Sequence, residues 1–366
     1  MRMSGLLAHW FDDHADGETR VTTSRPGRMT QRRIAELAGV SQAVVSLVLN
    51  GKAGEGSRIP AETSARVMKV IRDTRYTVDP AARRLAGAGN EIIGVFTYEP
   101  AFPTEAQDFY TPLLAGIEAE AEALGCDLLM FTSAPVQHGR RVLLHQNNRL
   151  RLSDGCLLLG LAMEAGELER LVDDGFPFVA VGRRDVPGVP YVGLDYVTPT
   201  ADLVARAAKA GHRRMTYLHL GSVGESVLDR QQGVRSGASA AGMDVELRAV
   251  TTADLGTRLV RDLVDSGTTV LVVESAEHAE ILWQVAVQVG VEVPRDLSMV
   301  VLSEHPRPRP EAPDFTRLRP LRSLLGARSL QLLSRLLHDP DLPDDERRVL
   351  IDCDLVAGET LVPPAT

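Results

Sequence analysis

Residues 34–51 read IAELAGVSQAVVSLVLNG, and this stretch decides the fold of the N-terminal part of the chain. Just before it, the hydroxyl of Thr30 can accept a backbone N–H and so begin a helix. Gly39 can end that helix, because the left-handed conformation costs glycine little. Ser41 can then cap a second helix. The stretch therefore predicts two short helices around a tight turn.

Apolar residues follow helical spacing in both predicted helices. The first helix has one apolar face, formed by Ile34, Leu37 and Ala38. The second has another, formed by Val44, Val45 and Val48. Ala35 is small where the two helices must cross closely. This is the helix-turn-helix pattern, in which the second helix lies in the major groove of DNA. On this stretch alone, an ordinary helical hairpin inside a larger core is the alternative.

The charge of the chain is unevenly distributed. The 366 residues carry a net charge of −9, which by itself argues against binding to nucleic acid. Residues 28–88, however, hold 11 Lys and Arg against 5 Asp and Glu. A basic segment on an acidic body is typical of a DNA-binding module attached to another domain. The acidic body should also repel the duplex and so confine contact to the basic segment.

Two further elements complete the basic segment. After the glycine-rich residues 51–58, Pro60 can begin a third helix, since the N–H that proline lacks would be unpaired in a first turn. The apolar face of this helix consists of Val67, Val70 and Ile71. Residues 79–85 then read DPAARRL, and we predict a short helix that begins at Pro80 and ends its apolar side at Leu85.

The string AxxAGVSxxxVSxVLNG at residues 35–51 and the string PAARRL at residues 80–85 resemble those of LacI/GalR-type transcriptional repressors. The resemblance runs from about Thr30 to about Glu359. It implies a helix-turn-helix DNA-binding domain at 28–76, a hinge helix and linker at 77–89, and an effector-binding and dimerisation domain at 90–366. For residues 1–27 we expect a disordered tail, or a start codon placed too early.

The C-terminal part of the chain alternates predicted strands and helices, which is typical of parallel doubly wound sheets. We predict strands at 92–96, 126–131, 155–159, 178–181, 191–195, 215–220, 270–273 and 299–302, with helices at 113–124, 168–173, 201–210, 230–241 and 276–289.

The resemblance implies that these elements form a two-lobed, periplasmic-binding-protein-like α/β domain that follows the three-helix head and its hinge helix. The fold class is thus α plus α/β. We expect the N-lobe at about 90–193 and 315–345, and the C-lobe at about 194–314 and 346–360. Three chain crossings between the lobes follow, near 193, 315 and 345.

The resemblance also assigns the DNA contacts. Gln42, Ala43 and Leu47 match the positions that read base edges, and Gln42 can pair bidentately with adenine. Leu47 replaces a frequent arginine and offers only apolar contact; a packing role is its alternative. The residues expected to contact phosphates are Thr30, Ser41, Ser46, Asn50, Arg58 and Tyr76. In the hinge, Ala82 and Leu85 match residues that enter the minor groove, where a leucine wedge kinks the duplex.

An effector cleft between the lobes is the third implied site. The residues matched to it are Phe109, Tyr110, Asp195, Arg230, Glu274, Ser275 and Ser303. The family's Asn-Asp pair is Glu274-Ser275 here, and its Gly-Phe-Asp-Asp run is residues 301–304, VLSE. Because a guanidinium suits carboxylates and phosphates, we expect a small anionic ligand. A modified sugar, no effector, or a salt-bridge role for Arg230 are the alternatives.

The remaining sequence features narrow the function class. Cys126, Cys156 and Cys353 are too widely spaced for a disulfide framework or a metal cluster, so we expect no metal, no cofactor and a reducing cytoplasm. No nucleotide-binding glycine motif or catalytic triad stands out, which argues against an enzyme. The expected partners are a double-stranded DNA operator, a small-molecule effector and a second copy of the chain, with no membrane. A solute-binding protein and a ligand-free regulator share the expected two-lobed fold and are the alternatives.

Overall fold

The computed structural model describes residues 29–49, 59–76, 89–100, 110–221, 224–305 and 307–365. The chain falls into two compact units, Met1–Ala88 and Gly89–Thr366. The predicted contacts of Asn50, Arg58, Ala82, Leu85 and Phe109, the hinge helix and the expected tail all lie outside the described residues.

The first unit is a three-helix head. Its helices are α1 (Gln31–Ala38), α2 (Gln42–Leu49) and α3 (Ala61–Thr74). They bury a small apolar core made of Ile34, Ala35, Ala38, Val45, Val48 and Val67. Arg66 Nε on α3 also donates to the carbonyl of Ala38, at 2.9 Å, and so holds the end of α1.

The local signals at the helix ends are confirmed. The hydroxyl of Thr30 accepts the N–H of Arg33 at 3.3 Å. Gly39 ends α1 with a φ of 64°, and the hydroxyl of Ser41 accepts the N–H of Val44 at 3.4 Å. Gly39 and Ser41 therefore form the turn between the two helices, and Thr30 fixes the start of the first helix, as their chemistry predicted.

The predicted face of α1 is wrong at Leu37, whose side chain is 49% exposed. The buried residues of α1 are Ile34, Ala35 and Ala38. Each residue turns a helix by about 100°, so these three form a stripe centred between Ile34 and Ala35. Leu37 lies about 60° beyond the edge of this stripe and is therefore exposed.

The second unit begins with one series of alternating strands and helices. In chain order its elements are β1 (Ile92–Thr97), α4 (Tyr110–Leu124), β2 (Asp127–Phe131), β3 (Val136–Gln137), β4 (Arg140–Arg141), a 3-10 turn at Leu150–Leu152, β5 (Gly155–Leu159), α5 (Ala165–Asp173), β6 (Phe178–Val181) and β7 (Tyr191–Leu194).

A second series follows. Its elements are α6 (Val197–Lys209), β8 (Arg214–Leu220), α7 (Glu225–Ala241), β9 (Asp244–Val250), a 3-10 turn at Thr252–Asp254, α8 (Thr257–Asp265), β10 (Val270–Val273), α9 (Ala276–Gln288), β11 (Ser298–Val301) and β12 (Thr316–Arg319). The last elements are α10 (Arg322–His338), α11 (Asp344–Arg347), β13 (Arg348–Ile351) and β14 (Asp354–Val356).

These strands form two six-stranded sheets, each of which is the centre of one lobe. The N-lobe sheet has the order β13-β7-β6-β5-β1-β2 and is parallel throughout. The C-lobe sheet has the order β14-β12-β11-β10-β8-β9, and only β14 runs antiparallel to its neighbour. The two-lobed α/β architecture is as predicted.

The second and third crossings between the lobes lie later than predicted. We placed them near residues 315 and 345. Thr316–Arg319 still pairs with β11 of the C-lobe sheet, so the chain crosses only after Arg319. Arg348–Ile351 pairs with β7 of the N-lobe sheet, so the last crossing falls between Ile351 and Asp354. The first crossing follows Leu194, the end of β7.

Strand side chains alternate between two separate cores in each lobe, as the two-residue period of a strand requires. In the N-lobe, Val95 and Leu157 face α4 and α10, whereas Phe96 and Leu158 face α5. The C-lobe repeats the arrangement, with α8 and α9 on one face and α6 and α7 on the other. Both faces of each sheet are covered, which explains the nearly continuous apolar runs of the strands.

Two glycines let α4 and α10 touch at their backbones. A Cβ added to Gly116 on α4 would lie 1.9 Å from the carbonyl oxygen of Ser323. A Cβ added to Gly326 on α10 would lie 2.2 Å from the carbonyl oxygen of Leu113. This close packing fixes α10 on the N-lobe, directly after the second crossing.

We predict that Gly326→Ala destabilises the second unit by about 1–3 kcal/mol, because the new methyl group forces the two helix backbones apart. Gly166→Ala on α5 is the matched control. No atom lies within 4 Å of the Cβ site of Gly166, so the loss of backbone freedom in the unfolded chain should leave stability equal or higher. Urea unfolding followed by circular dichroism measures both, and equal effects would contradict the close contact.

Candidate nucleic-acid interface and ligand cleft

The head presents one exposed face of α2. Gln42 and Ala43 are exposed, and Leu47 is 41% exposed. Val45 and Val48, on the opposite side of the same helix, are buried in the head core. Leu47 is therefore not a core residue of the head, and the three predicted base-reading positions lie together on a free helix surface.

The predicted phosphate-contacting residues that the structure describes flank this face. Thr30 and Ser41 are exposed, and each hydroxyl oxygen already accepts a helix N–H, which leaves the hydroxyl hydrogen able to donate. Ser46 and Tyr76 are half-buried and make contacts within the protein. The helix caps thus hold two candidate donors at fixed positions beside the exposed face.

The second unit contains a cavity of about 230 Å3 between its lobes. Its walls are the segments that follow the carboxyl ends of the strands, which is where open α/β sheets bind ligands. Those from the N-lobe are residues 159–161, 181–184 and 194. Those from the C-lobe include residues 274–278 and 303–305, together with the N-terminal turns of α7.

The structure brings most of the predicted effector residues together. Those that line the cavity are Tyr110, Arg230, Glu274, Ser275 and Ser303. Asp195 does not line it. One carboxylate oxygen of Asp195 instead accepts the N–H groups of Val197 and Thr198, at 2.9 and 3.1 Å. The acidic residue after β7 therefore caps the start of α6.

Arg230 is the most constrained of these residues. Its side chain is buried, and its guanidinium lies 3.6 Å from the ring centroid of Tyr196. Nη1 donates to the carbonyl of Ser226 at 3.0 Å and lies 3.5 Å from a carboxylate oxygen of Glu274. The salt bridge that the sequence left as an alternative is present, but Nε has no hydrogen-bond partner among the described residues.

Glu274, Ser275 and Ser303 organise the start of α9. Glu274 is buried, and its Oε2 accepts the hydroxyl of Tyr217 at 3.2 Å and the N–H of Leu220 at 2.9 Å. The hydroxyl of Ser275 accepts the N–H of His278 at 3.4 Å. The hydroxyl of Ser303 accepts the N–H of Ala276 at 2.8 Å.

Sequence reasoning missed several polar residues of the cavity, namely Arg183, Arg184, His278 and Arg322. Burial lowers the pKa of His278, which favours its neutral form. Burial also lowers the pKa of Arg184 and of Arg322, although arginine remains charged. The sequence does contain a signal for Arg183 and Arg184. They directly follow the carboxyl end of β6, and the carboxyl ends of parallel strands face the ligand in open α/β sheets.

Arg183 and Arg184 of the N-lobe both reach α7 of the C-lobe. Arg183 donates to both carboxylate oxygens of Asp229, with Nε at 2.8 Å and Nη2 at 2.7 Å. It also pairs with Asp185. Arg184 Nη1 donates to Glu225 at 3.1 Å. We name these two contacts, Arg183–Asp229 and Arg184–Glu225, the cross-lobe ion pairs.

The cross-lobe ion pairs are sheltered from water. The side chains of Arg184 and Asp229 are only 3% and 7% exposed. Hydrogen bonds to Asp229 raise the pKa of Arg183 and so favour its charged form. Asp229 and Glu225 stand on the same helix as Arg230, so the ion pairs and the ligand cavity share α7.

Two family descriptions match the two units. Residues 31–79 match the description "Bacterial regulatory proteins, lacI family". Residues 204–361 match a periplasmic binding protein-like domain.

Named relatives extend over both units. The chain is 26% identical to the HTH-type transcriptional regulator CelR of Thermobifida fusca over 324 residues, which are 84% of this chain and 92% of that protein. It is 30% identical to the sucrose operon repressor of Klebsiella pneumoniae over 50% of this chain and about half (52%) of that protein.

Solved structures share the fold. A lac repressor dimer bound to operator and the anti-inducer ONPF superimposes with a TM-score of 0.70 at 19% identity, covering 91% of this chain and 99% of that one. A CelR–cellobiose complex superimposes with a TM-score of 0.61 at 22% identity, covering 91% of this chain and 100% of that one.

Two kinds of feature are absent from the described residues. Within those ranges, no cluster of three or more His, Cys, Asp and Glu side chains has a geometry that could hold a metal ion. Among the helices that the structure describes, none combines the length and apolarity needed to cross a bilayer.

We predict that Arg183→Met destabilises the second unit by about 2–3 kcal/mol, because it leaves the buried carboxylate of Asp229 unpaired. This is somewhat less than the ~3–5 kcal/mol of a fully buried pair, since Arg183 is partly exposed. The double variant Arg183→Met/Asp229→Leu should recover part of the loss, because neither charge is then buried alone.

Arg319→Met is the matched control. Arg319 pairs with Asp354 at 2.6 Å, but both side chains are about half exposed, so we expect little measurable change. Chemical unfolding gives the stability of each variant, and small-angle X-ray scattering gives the radius of gyration, which should increase for Arg183→Met alone. If Arg183→Met matches the control in both measurements, the cross-lobe pairs do not hold the lobes together.

Proposed function

We propose that this chain, which belongs to the lacI family of bacterial regulatory proteins, represses transcription by binding a pseudo-palindromic operator as a homodimer. The chain is a DNA-binding transcriptional regulator with a two-lobed effector domain. A small molecule in the cleft between the lobes modulates its affinity for the operator.

The exposed face of α2 carries this proposal. A helix that follows a tight turn enters the major groove, and its exposed side chains meet base edges. Gln42 offers an amide that can pair with adenine, whereas Ala43 and Leu47 offer apolar contact to a thymine methyl group. Because one such helix reads only a few base pairs, two symmetric heads are needed for useful specificity. The homodimer follows from this need, and the structurally similar lac repressor is a dimer on its operator.

The hinge residues add a second contact to the proposal. Leu85 and Ala82 of the string PAARRL would enter the minor groove, where a leucine wedge between base pairs bends the duplex toward the protein. We expect this bend only on operator DNA, because non-specific binding rests on phosphate contacts from the basic head.

The cleft is the proposed control element. A ligand can change operator affinity only if it binds one lobe arrangement more tightly than the other. The lining combines residues from both lobes, and α7 carries both Arg230 and the carboxylates of the cross-lobe ion pairs. A ligand that contacts Arg230 therefore acts on the helix that joins the lobes. The CelR–cellobiose complex is a solved example of this fold with a small molecule.

The remaining parts of the proposal concern place and chemistry. Since its relatives are DNA-binding regulators, we place the chain in the cytoplasm at the nucleoid. We assign it no enzymatic activity and no cofactor, because the chemistry of its two candidate sites is that of recognition. The head has exposed amide and hydroxyl groups, and donors line the cavity between the lobes.

The test of the proposed function is selection of bound duplexes from a random pool with the full chain. We expect an enriched site with two symmetric half-sites, separated by a distance that two heads can span. Light scattering of the purified complex should give two chains per duplex. Recovery of random sequences, or of a single half-site bound by one chain, would refute the proposal.

We predict that Gln42→Ala relaxes the base preference at one position of each half-site by about 1–3 kcal/mol, because the bidentate contact is lost. Tyr76→Phe is the comparison variant, since it removes a hydroxyl expected to contact phosphate. Tyr76→Phe should weaken binding to operator DNA and to random DNA by similar factors. Anisotropy titrations at fixed salt distinguish the two patterns, and an unchanged base preference in Gln42→Ala would exclude this residue from base reading.

A further inference from the structure

The proposed effector cleft has a surplus of hydrogen-bond donors. We propose that its ligand carries a carboxylate or phosphate group, and that this oxyanion binds between Arg230 and the first turn of α9. The inference rests on the proposed function only in taking this cleft as the effector site.

Three of the four carboxylates that line the cavity are already engaged by the protein, and Glu277 is the exception among the described residues. Both oxygens of Asp229 accept from Arg183. Oε2 of Glu274 accepts from Tyr217 and Leu220, and Oε1 lies 3.5 Å from Arg230. Glu304 pairs with Arg317 at 3.4 Å. A sugar, whose several hydroxyl groups must each donate a hydrogen, therefore meets mostly carboxylates that already accept from the protein.

The hydroxyl and amide groups at the start of α9 remain able to donate. Ser275 and Ser303 each use a hydroxyl lone pair to accept a backbone N–H, so their hydroxyl hydrogens are left for another acceptor. Among the described residues, the N–H of Glu277 in the same turn has no acceptor. These donors stand at a helix N-terminus, where the dipole favours negative charge.

The buried side chain of Arg230 supports an anionic ligand independently of the donors at the start of α9. It is 7% exposed, and its Nε–H is buried without an acceptor among the described residues. Nε of Arg184, which lines the same cavity, is in the same condition. A buried N–H without a partner costs free energy, and an oxyanion can accept from it without having to donate anything in return. The cavity volume of about 230 Å3 limits the ligand to a small molecule.

Glu277 provides a test of whether the ligand is charged or neutral. It lines the cavity and is half-buried, and the described residues give its carboxylate no ion pair or hydrogen bond. This charge repels a bound anion, whereas it could accept a hydrogen bond from a neutral polyol. Glu277→Gln should therefore strengthen the binding of an anion and weaken or leave unchanged the binding of a neutral sugar.

The experiment measures thermal unfolding of the full chain with three probes at constant ionic strength: inorganic phosphate, gluconate and glucose. We expect phosphate or gluconate to raise the unfolding temperature by about 3 °C at ten times its Kd, and glucose to have no effect. Phosphate alone would identify a phosphate group, and gluconate alone a carboxylate. Arg230→Met should abolish the shift, whereas anion binding to the basic head would persist in that variant.

Glu277→Gln keeps the test decisive if Arg230→Met fails to fold. In this variant we expect the anion Kd to fall at least threefold. The inference is overturned if neither anion stabilises the wild-type chain, if glucose does so better, or if Glu277→Gln weakens anion binding. These results would leave the cleft and the duplex selection untouched, so a failure here is distinguishable from a failure of the proposed function.

Discussion

The arrangement of the second unit depends on two adjacent arginines that cross from one lobe to the other. Arg183 and Arg184 follow β6 in the N-lobe, and their partners Asp229 and Glu225 stand one helical turn apart on α7 of the C-lobe. Guanidinium–carboxylate pairs are directional, so the two pairs specify both the separation and the relative rotation of the lobes. Breaking one pair leaves a charge buried alone, so a movement of the lobes that separates the pairs costs free energy.

The ligand cavity follows from the same constraint. Its walls belong to both lobes, and Arg230 is the residue after Asp229 on α7. A shift of α7 therefore moves both Arg230 and the carboxylates of the cross-lobe pairs. The three chain crossings at residues 194–197, 319–322 and 351–354 also join the lobes, each by a short connection. A ligand bound at Arg230 can therefore influence the arrangement of the lobes through α7 alone.

Local chemistry made much of this molecule predictable. Thr30, Gly39 and Ser41 specify the ends of the first two helices by hydrogen bonds to residues three or four positions away, so the sequence contains the whole interaction. The central strands are buried on both faces and read as apolar runs. Strand β9 was missed, because it is an edge strand in which only one of seven residues is buried. Helix α8 was also missed, although its sequence places Leu259, Val260 and Leu263 at the spacing of an amphipathic helix.

Interactions over long sequence separations were not predictable in this way. Arg183 and Asp229 are 46 positions apart, and no spacing rule connects them. Asp195 shows a different limit, because an acidic residue after a strand can bind a ligand or cap the next helix, and only the structure reveals the cap. The late crossings have the same origin: residues 316–319 and 348–351 are short strands whose sheet is decided by their neighbours.

The central claim is that lobe arrangement controls the DNA-binding head. The most direct measurement is the affinity of wild type and Asp229→Asn for the selected operator and for random DNA, at one salt concentration. Because Asp229→Asn weakens a cross-lobe pair and changes no residue of the head, operator affinity should change at least fivefold while random-DNA affinity stays the same. Equal operator affinity in the two proteins, with the variant folded and its lobes more open by X-ray scattering, would contradict the claim.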